Sequence, residues 1–135
     1  MTHHKEFHKQ SLTEDESIAV DLDGTLAMDY EEDFDPEFIG EPVPDMLNKV
    51  KDWLNAGKTV KIFTARAHDS RNIPPIAKWL EKHGIGGLEI TNRKTPDMKV
   101  IWDDKARSVV INTGKSPEEE MFKLFKSLEN ESKKS

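Results

Sequence analysis

Residues 17–25 read SIAVDLDGT. Ile18 and Val20 are β-branched, Ala19 lies between them, and no polar residue alternates with them, as in a strand buried on both faces. Asp21 and Asp23 then close the run and Gly24 ends it. Two carboxylates at the mouth of a buried strand are not tolerated there without partners. A strand of this kind belongs to a parallel sheet whose carboxyl edge carries polar groups.

The rest of the chain supplies matching elements. Residues 25–44 hold three prolines and the acidic run Glu31–Asp35, and read as a loop or small flap. Residues 43–56 place Met46, Leu47, Val50, Trp53 and Leu54 at helical spacing, with Gly57 as the stop. TVKIF at 59–63 is a second strand. Residues 73–83 form a helix with Ile76, Ala77 and Leu80 on its apolar face, ended by Gly84. Strands are expected at 88–91, 99–102 and 108–111. Ser116 caps a last helix with Pro117 at its first position and Met121, Leu124, Phe125 and Leu128 as its buried stripe. The predicted fold is α/β: a Rossmann-like three-layer sandwich with a mostly parallel five-stranded sheet. The predicted domain spans 17–128, between a disordered segment at 1–16, with His3, His4 and His8, and a disordered tail at 129–135.

Composition removes several classes. A net charge of −6 argues against a strongly basic nucleic-acid groove. There is no cysteine, hence no disulfide, thiolate zinc site or cysteine nucleophile. No apolar run is long enough to span a membrane and no secretory signal is visible, so the expected compartment is cytoplasmic.

Four polar groups stand at strand ends: Asp21 and Asp23, Thr64 in FTAR, Lys94 in TNRKTP, and Asp103 with Asp104 in WDDKA. Carboxylates from two strand ends make a hard oxygen site suited to Mg²⁺. A carboxylate attacks an anionic phosphate ester only when a cation offsets the charge. Asp21 fits the nucleophile of such a reaction. Asp23, on the same side if the strand continues, fits the acid/base. Thr64 offers a hydroxyl and Lys94 a positive charge. Arg66 and Arg93 each fit a substrate anion or solvent, and Arg66 joins Thr64 and Lys94 as a substrate-binding candidate. Thr64 also fits a helix cap, and loop His68 fits a solvated side chain.

In order, DLDGT, FTAR, TNRKTP and WDDKA resemble the four motifs of the haloacid dehalogenase-like superfamily. The likeness runs from Ser17 to about Gly114. It implies a phosphatase with Asp21 as nucleophile, Asp23 as acid/base, and Thr64 and Lys94 on the phosphate. Asp21, the main-chain carbonyl of Asp23 and an aspartate of the 103–104 pair would hold Mg²⁺. Asp104 aligns as the direct ligand, Asp103 as partner of the lysine or of a water. Lys94 lies only nine residues before Asp103, closer than is usual in the family, and Lys99 is its rival. Residues 24–43 and 91–94 are too short for a cap domain, so the chain resembles the capless subgroup. A thinner likeness links the ending to polynucleotide kinase-phosphatases and deoxyribonucleotidases. The implied substrate is a phosphate monoester, with an open site suited to a nucleotide, a nucleic-acid end, a phosphoprotein or closure by an oligomeric partner. The alternatives are a non-catalytic phospho-ligand binding module and a receiver-type signalling domain.

Overall fold

The computed structural model describes residues 16–31 and 33–134. The expectations for residues 1–15, including His3, His4 and His8, lie outside them. The chain divides into two compact units between Asp104 and Lys105.

The first unit is a four-stranded parallel sheet with two helices. Strands β1 (Ser17–Val20), β2 (Thr59–Phe63), β3 (Glu89–Thr91) and β4 (Met98–Trp102) lie in the order β3-β2-β1-β4. Helix α1 (Pro44–Asn55) joins β1 to β2, and α2 (Ile73–Lys82) leads from β2 to β3. Pairing of Ile18 with Val60 and of Val20 with Ile62 puts these four side chains on one sheet face. Met46 and Val50 of α1 and Ile76, Trp79 and Leu80 of α2 close over that face as a single core. Full burial contributes about 1.5–3 kcal/mol per large aliphatic side chain. Ile62, Ile76 and Leu80 are therefore among the main supports of the sheet edge above them.

Helices α1 and α2 are each followed by a glycine with positive φ, Gly57 and Gly84. At α2 the chain turns at Gly84, with φ +82. The Gly84 amide donates to Glu81 O (3.1 Å) and the Ile85 amide to Leu80 O (2.9 Å). These are the two bonds of a Schellman ending, and buried Ile85 completes its apolar contact.

The strand expected at 108–111 does not form, and the sheet has four strands rather than five. Residues 108–110 have no regular structure, and a turn follows in which the Thr113 amide donates to Val110 O. Val109 and Ile111 are 56% and 81% exposed. β-Branched composition favours a strand but supplies no ladder partner.

The second unit contains α3 (Pro117–Lys134). Ser116 Oγ accepts from the Glu119 amide (3.1 Å), and Glu119 Oε2 accepts from the Ser116 amide (2.9 Å). This capping box satisfies two donors at the helix start. The helix continues through residues 129–134, expected as a tail. Met121, Leu124, Phe125 and Leu128 are exposed rather than buried. No helix among the described residues is long and apolar enough to cross a membrane.

Candidate metal site

The chain steps from β1 to β2 to β3 in one direction, then returns to place β4 on the other side of β1. Between β1 and β4 the winding reverses, and a crevice opens there at the carboxyl edge. Asp21 follows β1, and Asp103 and Asp104 follow β4. Their carboxylates each offer an oxygen within 4.8 Å of the others. The Asp21 amide donates to Trp102 O (2.9 Å), so the ladder itself sets this approach.

Residues 22–27 form a tight turn around one acceptor. Leu22 O accepts from the amides of Thr25, Leu26 and Ala27. Leu22, Leu26 and Ala27 are fully buried and anchor the turn below the crevice. Gly24 has φ +87, and a Cβ there would lie 2.7 Å from Asp104 Oδ2. Conformation and space both require glycine. Thr25 Oγ1 donates to Asp104 Oδ1 (3.3 Å) and accepts from the Asp104 amide (3.0 Å). Gly24, Thr25, Trp102, Asp103 and Asp104 border a cavity of about 320 Å³, and Lys49 of α1 also lines it.

The cluster is electrostatically strained. Burial first, then the Asp103 charge and a hydrogen bond with Asp104, push the Asp21 carboxyl from 3.8 up to about 7. The Leu22 amide opposes the shift. Three converging carboxylates repel one another, and a divalent cation held by oxygen ligands removes that repulsion. The donor set is all-oxygen and fits Mg²⁺.

Asp23 is elsewhere. The strand ends at Val20 and the turn redirects the side chain, so Asp23 is not part of the three-carboxylate cluster. Its two oxygens instead accept from Arg66 Nε and Nη2, each at 2.8 Å. Arg66 Nη2 also donates to Phe38 O (3.0 Å), and its guanidinium lies 4.9 Å from the centre of the Phe34 ring. Arg66 is 9% exposed, so it meets a protein carboxylate rather than solvent. Removing one member of such a pair costs about 3–5 kcal/mol when both are deeply buried. The cost here falls toward the low end because Asp23 is 31% exposed.

Thr64 follows β2, is buried, and accepts the Arg66 amide at 3.2 Å, so it caps the short 3₁₀ turn Ala65–His68. Its hydroxyl proton is not used in that bond. Lys94 is exposed in the loop between β3 and β4 and has no ion pair with a described residue. Lys99 lies within β4 and is exposed. His68 is exposed with Nδ1 against Ala65 O. Thr25, Phe34, Phe38 and Lys49 are site residues that sequence reading passed over. Only Thr25, inside DLDGT, carried a usable signal.

No family model matches the chain, and no curated protein matches it. Among solved structures, a conserved protein from Bacteroides thetaiotaomicron is similar in fold. The TM-score is 0.51 at 18% identity, over 82% of this chain and 89% of that one. At that identity the likeness extends to the α/β fold and no further.

Proposed function

We propose that the chain is a Mg²⁺-dependent phosphomonoester hydrolase working through an aspartyl-phosphate on Asp21, on a three-layer haloacid dehalogenase-like fold without a cap. One observation carries the reading: carboxylates from β1 and β4 converge at the reversal of strand order, where burial first and then the neighbouring carboxylates push the Asp21 carboxyl up to about 7.

Asp21, Asp103 and Asp104 would hold the cation, which supplies positive charge against the phosphoryl oxygens when bound. An Asp21 oxygen attacks phosphorus and the ester P–O bond breaks. Asp23, released from Arg66 and protonated from solvent, gives that proton to the leaving oxygen. Water then attacks phosphorus, its proton goes to Asp23, and phosphate departs as Asp21 is regenerated. The Thr64 hydroxyl is a donor candidate for a phosphoryl oxygen, and exposed Lys94, in the loop that follows β3, is the cation candidate for the same anion. Asp23 must enter the reaction from its pair with Arg66. That pairing is also the observation that favours the non-catalytic alternative, in which phosphate binds and is not turned over.

Turnover of 4-nitrophenyl phosphate with Mg²⁺ separates the two readings. Wild-type protein should hydrolyse it, and chelation should stop it. Asp21→Asn should be folded and inactive. Full activity after exhaustive chelation, or near-normal turnover by Asp21→Asn, rejects the proposal.

A further inference from the structure

The loop between Met28 and Glu41 is tied at its neck. Ala27 and Pro42 form an antiparallel bridge, and the Met28 amide donates to Glu41 O at 2.8 Å. Trp79 Nε1 of α2 donates to Gly40 O at 2.9 Å, and Tyr30 Oη donates to Glu41 Oε2. Within the loop, Asp35 Oδ1 accepts from the Glu37 amide at 3.0 Å. A compact surface loop closed at its ends is an Ω-loop, a type that is frequently functional. Its large apolar side chains nonetheless lie in solvent. Tyr30, Phe34 and Phe38 are 53%, 56% and 54% exposed. Apolar side chains left in water add little to folding. Held out on an ordered loop, they mark a contact surface.

The loop stands beside the candidate site. Arg66 Nη2 donates both to Phe38 O and to Asp23 Oδ1, and the Phe34 ring lies against the same guanidinium. Charge then selects the occupant. Between Lys9 and Lys49 the sequence has no Lys, Arg or His. The exposed carboxylates of Glu31, Asp33 and Glu37 have no ion pair with a described residue, and the Arg66 charge is matched by Asp23. Aromatic faces attract cations, as carboxylates do. A phosphate ester that approaches this rim alone is repelled, whereas one flanked by cationic groups is drawn in.

We propose that this loop is a docking surface for a basic polypeptide segment, and that the substrate is a phosphate monoester carried on a Lys- or Arg-rich stretch of a protein. The inference rests on the phosphatase reading above and narrows its substrate class. Guanidinium groups of the segment stack on the exposed rings, and their charges meet Glu31, Asp33 and Glu37. The rings are spread along the loop from Tyr30 to Phe38, which suits an extended segment rather than one small amine. Each exposed ion pair contributes little, and several acting together set the preference for a basic substrate at about 10-fold.

The test uses full-length protein with Mg²⁺ and two fluorescent peptides that differ only in the residues flanking one phosphoserine, arginine in one and glutamate in the other. The arginine peptide should have a kcat/KM about 10-fold higher, through a lower KM, since docking is made in the ground state too. Added salt should shrink that ratio. Combining Glu31→Gln, Asp33→Asn and Glu37→Gln should remove most of it. Combining Asp52→Asn, Glu81→Gln and Glu131→Gln, an equal charge change outside the loop, should keep it. The unphosphorylated arginine peptide, followed by anisotropy, should bind the loop variant and Phe34→Leu more weakly than the wild type. Equal kcat/KM for the two peptides, or an equal effect of the two triple variants, would overturn the docking surface. Competition by agmatine, a single guanidinium, at the peptide's own concentration would assign the loop to a small cation and overturn the polypeptide. Loop-dependent binding of the arginine peptide with no turnover of any phosphate ester strikes the phosphatase reading alone. Turnover without preference strikes the docking surface alone, and the two failures are thereby told apart.

Discussion

Thr25 and Asp104 hold each other in both directions: the hydroxyl donates to the carboxylate, and the Asp104 amide donates back to the hydroxyl. The two residues lie 79 positions apart, on the loops that follow β1 and β4. The bond therefore joins the two strand ends that bear the acidic cluster, and orients Asp104 before any cation arrives. Outer partners of this kind typically cost 10–100-fold in metal affinity when removed. Thr25→Val keeps the shape and loses both bonds. Titration calorimetry should show Mg²⁺ affinity reduced by about that factor, with the fold intact. Unchanged affinity would mean that Asp104 needs no such support.

Gly24 meets the same carboxylate from the other side. Alanine there requires an unfavourable positive φ and puts Cβ 2.7 Å from Asp104 Oδ2. The strained backbone alone costs about 1–3 kcal/mol. Asp104 can swing away, since it is exposed, but it then leaves the cluster. Gly24→Ala should thus lower Tm and weaken Mg²⁺ binding together. A variant that loses stability while keeping full affinity would show that the contact is relieved without moving Asp104.

The pH dependence follows from Asp21. Its folded value near 7 lies above the ordinary 3.8, so between these values the native chain binds a proton that the unfolded chain has released. The associated stability is present below the ordinary value and is lost as pH rises toward and through 7. Metal-free protein should melt at lower temperature at about pH 8 than at about pH 5, in the part of the profile that Asp21→Asn removes. Mg²⁺ displaces that proton, so its stabilising effect should be larger at the higher pH. Scanning fluorimetry with and without Mg²⁺ measures both. A Mg²⁺ shift equal at the two pH values would contradict the strained acidic cluster.

At the opposite edge of the sheet, Asp97 accepts from Ser17 Oγ (2.7 Å) and pairs with Lys61 Nζ (2.8 Å). The Lys61 ammonium holds the Asp97 carboxyl well below the usual carboxylate range. Its contribution is present above the ordinary carboxylate pKa and fades as pH falls below it. Asp97→Asn should lower Tm at neutral pH, with the gap to wild type closing below about pH 4. Because the pair lies at the amino edge, kcat should not change. A gap that persists in acid would assign the loss to Ser17 rather than to Lys61.

Much of the fold could be read from residue pattern because pattern and packing agree there. β2 occupies 59–63 as expected, and the apolar spacing of 43–56 marks α1 to within a residue at each end. Residues 108–111 show the limit. A strand needs a neighbour, and composition cannot say whether one is present. The site was legible as residue types more than as directions. Asp21, Asp103 and Asp104 meet, as a strand-end rule suggests. Asp23 was expected beside Asp21 by strand alternation, but the turn on Leu22 O breaks that alternation and gives the side chain to Arg66. Phe34 and Phe38 lie in a loop without periodicity, and nothing in their spacing points to a guanidinium.

The proposed intermediate is a phosphoryl group on Asp21. Asp23→Asn should slow release of that group more than its formation when the ester has a good leaving group. The measurement is rapid quenching of this variant with 4-nitrophenyl phosphate and Mg²⁺, borohydride reduction of the acyl-phosphate, and mass spectrometry of the peptides. Reduction should convert residue 21 alone to homoserine, and the signal should vanish in Asp21→Asn. Turnover by the wild type with no modification at residue 21, or modification at another aspartate, would contradict the account.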